Sequence, residues 1–252
     1  MRQIWITRVG PPEVLELRDA ADPVPRAGEV RIRVKASGIN FADIMARLGL
    51  YQDAPKLPAV VGYEVAGDID AVGESVTRAV GERVFALTRF GGYSDVVCVA
   101  AAQAVPLPEG MDYEQGAAIP VNYLTAYQML IQMGSLKAGE RVLVHSAAGG
   151  VGLAAIELCK IHGAEVFGTA SASKHALLHE RGVQHTIDYR TQDYEVEIKR
   201  LTSGRGVHIV LDAMGGVHWK KGYRCLAPTG RLVTTLDRWG RPPPGDRPRT
   251  EE

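Results

Sequence analysis

The chain has 252 residues, 46% of them hydrophobic and 23% charged. That composition excludes disordered and fibrous classes and, at ~150 residues per domain, allows one large domain or two small ones. Its 29 Lys and Arg balance 29 Asp and Glu, so there is no cationic excess to neutralise a phosphate backbone, and no nucleic acid partner is expected. Cys98, Cys159 and Cys225 are odd in number and far apart, which argues against a disulfide framework, a zinc cage or a redox pair and for a reducing compartment. No apolar run reaches the ~18 residues of a membrane span, and the opening MRQIWITRVG has no hydrophobic segment before a cleavage site. The expectation is a cytoplasmic protein with no membrane span.

In chain order, residues 1–120 read as a β domain. Short alternating runs such as 30–34 and 84–88 are separated by turn residues at Pro11-Pro12, 23–28, Gly73 and Gly91-Gly92, the punctuation of a compact barrel. After Pro120 apolar strands alternate with amphipathic helices, which predicts a parallel sheet with helical crossovers over 121–237. Five strands are expected, at 141–146, 165–170, 185–189, 208–213 and 230–236. The stretch 238–252 is rich in Pro, Arg and Gly, holds no helical face and is expected to be disordered. It begins where a doubly wound fold adds a helix and a sixth strand, so the chain reads as cut short, with a frameshift or early stop as the explanation offered.

The first of these strands runs into Ser146-Ala147-Ala148-Gly149-Gly150-Val151-Gly152 and then into an apolar-periodic helix. The G-x-G-x-x-G template is met as A-x-G-x-x-G by Ala147, Gly149 and Gly152. Gly149 would let backbone approach a pyrophosphate, Gly152 would let helix pack on strand, and the helix N-terminus would face the phosphates. The competing account is a tight β-α turn that simply needs small residues. An enzyme for the unphosphorylated dinucleotide places an acid on the ribose about 20 residues later. Here the second strand ends in Thr169-Ala170-Ser171-Ala172-Ser173-Lys174-His175, which offers hydroxyls and a cation suited to a 2′-phosphate and therefore to NADPH. Alternatively, Ser173 caps the next helix, although Lys174 gains nothing from the positive end of a helix. His175 and His179, four apart on that helix, could clasp a metal, but no Glu follows His175 as in H-E-x-x-H, and a solvated helix face accounts for them.

Taken together, Ser37-Gly38-Ile39-Asn40-Phe41-Ala42-Asp43, the following run to Tyr51, Gly62-Tyr63-Glu64-Val65-Ala66-Gly67, Asn122-Tyr123-Leu124-Thr125-Ala126-Tyr127, the glycine turn and 167–175 resemble the zinc-independent quinone oxidoreductases of the medium-chain dehydrogenase/reductase superfamily. Within it the vesicle amine transport protein 1 branch is most similar. The resemblance covers about residues 1–236. It implies an α/β fold: a GroES-like β-barrel catalytic domain plus an incomplete Rossmann domain, a doubly wound parallel sheet. It further implies a cleft between the domains in which NADPH gives hydride to a quinone or enone substrate.

On the same resemblance, zinc-dependent relatives carry Cys and His at the positions of Asn40 and Tyr63, neither of which replaces a thiolate or imidazole ligand; no metal is expected. Without a Lewis acid, hydrogen-bond donors must polarise the acceptor oxygen. The candidates are Asn40, beside nicotinamide and substrate, and Tyr51, matching a proton donor of related enoyl reductases, with Asp43 and Arg47 behind them. A packing role for Tyr51 and an Asx-turn built by Asn40 and Asp43 are the structural alternatives. The cofactor set is Thr125 near the nicotinamide; Ala148, Gly149, Gly150, Val151 and Gly152 at the pyrophosphate; Ser173 and Lys174 at the 2′-phosphate; and Tyr189 near the adenosine. Asp212, Gly215 and Gly216 end the fourth strand where such sheets bind ligands, or shape a helix N-terminus. The family is usually homodimeric, and loss of a sixth strand would remove the edge used and expose the fifth. An enoyl-thioester reductase, an NADPH-binding trafficking protein with little turnover and an inactive truncated product are the alternatives.

Overall fold

The computed structural model describes residues 1–235; the tail expected at 238–252 and the end of the fifth strand lie outside them. The chain divides into two compact units that meet after Val121.

In the first unit, β1 (Arg2–Ile6) and β2 (Leu15–Asp19) form an antiparallel hairpin. Then come β3 (Glu29–Ser37), the short helix α1 (Phe41–Arg47), β4 (Glu64–Val72), β5 (Arg83–Leu87), β6 (Val96–Ala100), β7 (Ala104–Pro106) and helix α2 (Tyr113–Ala117). The five later strands make one antiparallel sheet in the order β6-β3-β4-β5-β7. Alternation explains it: Val30 and Ile32 of β3, Val65 and Ile69 of β4 and Val84 and Ala86 of β5 are all buried in one cluster, while Arg31 and Arg33 on β3 take ion pairs to Asp70 at 2.7 Å. A second small cluster, Ile6, Val14, Ala46 and Val61 with Tyr51 and Tyr93 against it, seats the hairpin and α1.

The second unit opens within α3 (Pro120–Tyr127), which continues as a π-helical stretch over Gln128–Met133. It then alternates β8 (Arg141–Val144), α4 (Gly150–Ile161), β9 (Glu165–Ala170), α5 (His175–Glu180), β10 (His185–Asp188), α6 (Tyr194–Leu201), β11 (Val207–Asp212), α7 (Val217–Arg224) and β12 (Leu226–Thr234). All pairings are parallel, in the order β10-β9-β8-β11-β12. This is the Rossmann arrangement without its sixth strand among the described residues. The strands are apolar on both faces because helices cover both: Val142, Val144 and Val166 pack with α4, while Leu143, Phe167 and Val210 pack with α6. β12 begins four residues before the expected 230, because Leu226 already pairs with Val207 ahead of a register shift.

β12 has one strand neighbour among the described residues and is stapled from within the unit. The Arg231 guanidinium reaches the carbonyls of Gly134, Ser135 and His208 and pairs with both oxygens of Glu140 at 2.7 and 2.8 Å. Phe167 is fully buried in β9 and stacks on the His185 ring with centroids 4.3 Å apart. Phe167→Ala is therefore expected to destabilise the second unit by about 3–5 kcal/mol, read as a lowered urea midpoint for the unfolding transition of that unit.

Candidate functional site

At the C-terminal end of the parallel sheet, β8 turns into α4 through a tight reversal. Ser146 takes a left-handed conformation (φ 52°), Gly149 is the N-cap of α4, and its N–H bonds back to the Ser146 carbonyl at 2.8 Å. A Cβ on Gly152 would stand 2.5 Å from the Ser146 oxygen and 2.6 Å from the Ala147 oxygen, so only glycine fits there. The Ala147 N–H ties the turn to β9 through the Thr169 carbonyl at 3.0 Å. Gly150 has the Asn122 side chain against it, with a would-be Cβ 2.7 Å from Asn122 Cγ. The first-turn N–H groups of such a helix have no intrahelical partners and make an anion site.

Beside this turn lies a cavity of about 500 Å³, lined from the expected set by Ala148, Gly149, Lys174 and Tyr189. Lys174 and Ser173 are exposed; Ser173 shares a hydrogen bond with Ser171 at 3.2 Å, and Ser171 faces the cavity. Ser173 does not cap α5, whose N-cap is Lys174 with no side-chain bond. Gly150, Val151 and Gly152 stand on α4 outside the lining, as does the half-buried Thr125 on α3. Asp212 is buried and accepts from the Met214 and Gly215 N–H groups at 3.0 Å each, so it and Gly215-Gly216 shape the entry to α7. His179 is exposed and His175 half-buried on α5, and both rings meet the Thr186 hydroxyl of β10, at 3.1 and 3.2 Å.

The cavity also holds Thr169, from the strand end read above, and residues that the sequence reading missed: His145, Gln192, Tyr194, Met214, His218 and Lys221. No periodicity marks them, because they converge from the ends of four elements. His145 is 5% exposed, its Nδ1 3.2 Å from the Thr169 hydroxyl and its Nε2 without a hydrogen-bond partner. Its ring meets Tyr194 edge-on, centroids 4.7 Å apart, and Lys221 lies over the Tyr194 ring while pairing with Asp193 at 2.8 Å. Burial pulls the His145 imidazole down to about 4 from 6.5.

In the first unit, Asn40 is the N-cap of α1. Its backbone N–H donates to Asp43 at 2.8 Å and its side-chain Nδ2 to Glu64 at 2.8 Å. Asp43, 4% exposed, also accepts from the Gly62 N–H at 3.1 Å; burial pushes its carboxyl up against these bonds and the neighbouring Tyr93 phenol. Asp43 thus has the bracing geometry of a capping box. Tyr51 packs on the Ile6 cluster and meets Tyr63 edge-on at 6.1 Å. The Tyr63 hydroxyl is buried without a hydrogen-bond partner, between Tyr51 and Phe90, and burial pushes its phenol up. Arg47 bonds the Gly10 carbonyl.

A β unit followed by a doubly wound unit with a glycine turn defines the medium-chain dehydrogenase/reductase class. Residues 26–109 match the alcohol dehydrogenase GroES-like domain and residues 150–235 match zinc-binding dehydrogenase. The chain is 42% identical over 238 residues to a quinone oxidoreductase of Pseudomonas aeruginosa, covering 92% of this chain and 72% of that protein. It is 51% identical over 222 residues to the synaptic vesicle membrane protein VAT-1 homolog of Rattus norvegicus, covering 87% of this chain and 55% of that one. It spans about half the length of the VAT-1 homologues it matches. Of solved structures, CurK enoyl reductase superposes with a TM-score of 0.87 at 35% identity, covering 92% of this chain and 73% of that one. A mycobacterial protein complexed with NADPH gives 0.86 at 33%, covering 93% and 73%. The chain belongs to the quinone oxidoreductase-like family of the medium-chain dehydrogenases/reductases.

The residues present do not fit the zinc that one of these family descriptions implies. Asn40 gives its amide to Glu64 and Tyr63 is a phenol held un-ionised, and no group of three or more His, Cys, Asp or Glu side chains among the described residues could hold a metal. Among the same residues no helix is long and apolar enough to cross a membrane.

The depressed His145 imidazole has a consequence for stability. Between its folded value of about 4 and the ordinary 6.5 the unfolded chain takes the extra proton, so stability is full above pH 6.5 and is lost as pH falls towards 4. Chemical denaturation at pH 7 and pH 4 is expected to show His145→Gln losing about 3 kcal/mol less than wild type over that interval.

Proposed function

We propose that this chain binds NADPH and uses it, without a metal, to reduce a small quinone or α,β-unsaturated carbonyl. One observation carries the cofactor half: among the described residues the cavity beside the glycine turn is lined by Lys174, Ser171 and Tyr189 and by no carboxylate. A 2′-phosphate is welcome there, and a ribose hydroxyl seeking an acid finds none. When bound, NADPH supplies a hydride from its nicotinamide ring.

The chain's own residues bind and orient. Gly149 and Gly152 admit backbone to the pyrophosphate, and Ala148, Gly150 and Val151 present the N-terminus of α4 to it. Lys174 and Ser173 hold the 2′-phosphate, Tyr189 flanks the adenosine, and Thr125 stands near the nicotinamide. Asn40 and Tyr51 donate hydrogen bonds to the acceptor oxygen as negative charge develops on it, and Asp43 braces Asn40. The quinone oxidoreductase of Pseudomonas aeruginosa and the NADPH-complexed mycobacterial protein support this reading. The likeness to CurK enoyl reductase favours a second acceptor, an enoyl thioester. A cytoplasmic site of action belongs to the proposal, supported by three free cysteines.

Calorimetric titration with NADPH and NADH tests the cofactor. NADPH is expected to bind more tightly, and Lys174→Ala to weaken it about tenfold or more by removing a charge-assisted contact, with NADH unchanged. Equal affinity for both cofactors, or no effect of Lys174→Ala, would overturn it. Faster NADPH oxidation with a quinone than with an enoyl thioester decides the acceptor.

A further inference from the structure

Two sequence motifs of the first unit meet at one side chain that the proposed chemistry has not used. Glu64, the first residue of β4, is 1% exposed. Its Oε1 accepts from Asn40 Nδ2 at 2.8 Å and its Oε2 from the Val121 N–H at 2.8 Å, in the first turn of α3. Both donors are N–H groups aimed at separate oxygens, the arrangement an ionised carboxylate accepts. Burial pushes the carboxyl up, and these two bonds oppose it.

The carboxylate is also fitted sterically. A Cβ at Gly38 would lie 2.5 Å from Glu64 Cδ, and the Gly38 N–H bonds the Glu64 carbonyl at 3.2 Å. Gly38 lacks a side chain because the Glu64 carboxylate occupies that space. Asn40 is therefore held twice, its backbone by Asp43 and its amide by Glu64. An acceptor-only carboxylate permits one way round for that amide: Nδ2 faces Glu64, the side-chain oxygen is turned to the Asp43 backbone N–H of the capping box, and one N–H is left for a ligand. With the amide reversed, two oxygens would confront each other in a buried place.

We propose that Glu64 is a positioning residue for Asn40, setting the orientation of its amide for the acceptor, and that Gly38 is present to admit the Glu64 carboxylate. This rests on the oxidoreductase reading above. Through Val121 the same carboxylate fixes the start of α3, where a negative charge is favoured by the helix end.

The test is Glu64→Gln, which keeps shape but replaces one acceptor oxygen by a donor. Three quantities are read: kcat and KM for NADPH oxidation by 9,10-phenanthrenequinone, the Kd for NADPH, and the ¹⁵N–¹H signals of the Asn40 side chain, assigned with Asn40→Ala. The expected result is a kcat lowered about tenfold to a hundredfold by misorientation, KM and NADPH affinity within twofold, and a moved Asn40 amide pair. A kcat within twofold of wild type, or an unmoved amide pair, overturns the proposal.

Should Glu64→Gln fail to fold, Glu64→Asp keeps an acceptor-only carboxylate but withdraws it by one methylene from Asn40 Nδ2, and it is read by the same three quantities with the same expected and overturning results. If wild type binds NADPH but reduces no acceptor, the oxidoreductase reading falls by itself. The orientation claim is then judged on the amide signals, which move in Glu64→Gln if it holds and stay if it does not.

Discussion

The reversal at the end of β8 is where the second unit has least freedom. A helix must start within a few residues of a central strand and still lie against it, and the carbonyls of Ser146 and Ala147 fill the space that a side chain at 152 would need. From this close approach follow the position of α4 and the burial of Ala154, Ala155 and Ile156 between helix and sheet. The fit that lets helix pack on strand is also the fit that the proposed phosphate contact requires, so on that proposal packing and ligand recognition share one set of glycines.

The first unit solves a different problem, the placement of polar groups in an apolar barrel. Asp43 and Glu64 are nearly inaccessible, and a carboxylate in such a place persists only when donors surround it. Here the donors are backbone N–H groups of Asn40, Gly62 and Val121 and one side-chain amide. The two acids therefore tie three separate stretches of chain together, and α1, only seven residues long, is held by them rather than by its own propensity.

Strands with strong local signals were legible: 165–170 falls on β9 to the residue, and the glycine turn stands at the N-terminus of α4 as read. Lys174 was found through the absence of an acid at the end of the second strand and Tyr189 through the family resemblance, and both line one cavity. What stayed hidden depends on contacts between distant residues. His145 looks like any polar residue ending a strand until Thr169 and Tyr194 arrive 24 and 49 positions later. Glu64 is one letter of a motif, and its partners at 40 and 121 cannot be paired by any period. The bonds of His175 and His179 to Thr186 were hidden for the same reason, since Thr186 comes from the next strand.

The Arg231 staple bears on how the second unit comes into being. Its partners Gly134, Ser135 and Glu140 stand 97, 96 and 91 residues earlier in the chain, so the stretch leading into β8 is tied down by β12. A nascent chain emerging from the ribosome exposes the loop before β8 long before Arg231 exists to hold it. Closure of the sheet is therefore a late event governed by non-local pairing, slow relative to local helix formation. Until then the apolar edge of β11, which β12 covers, stands open to chaperones and to other chains.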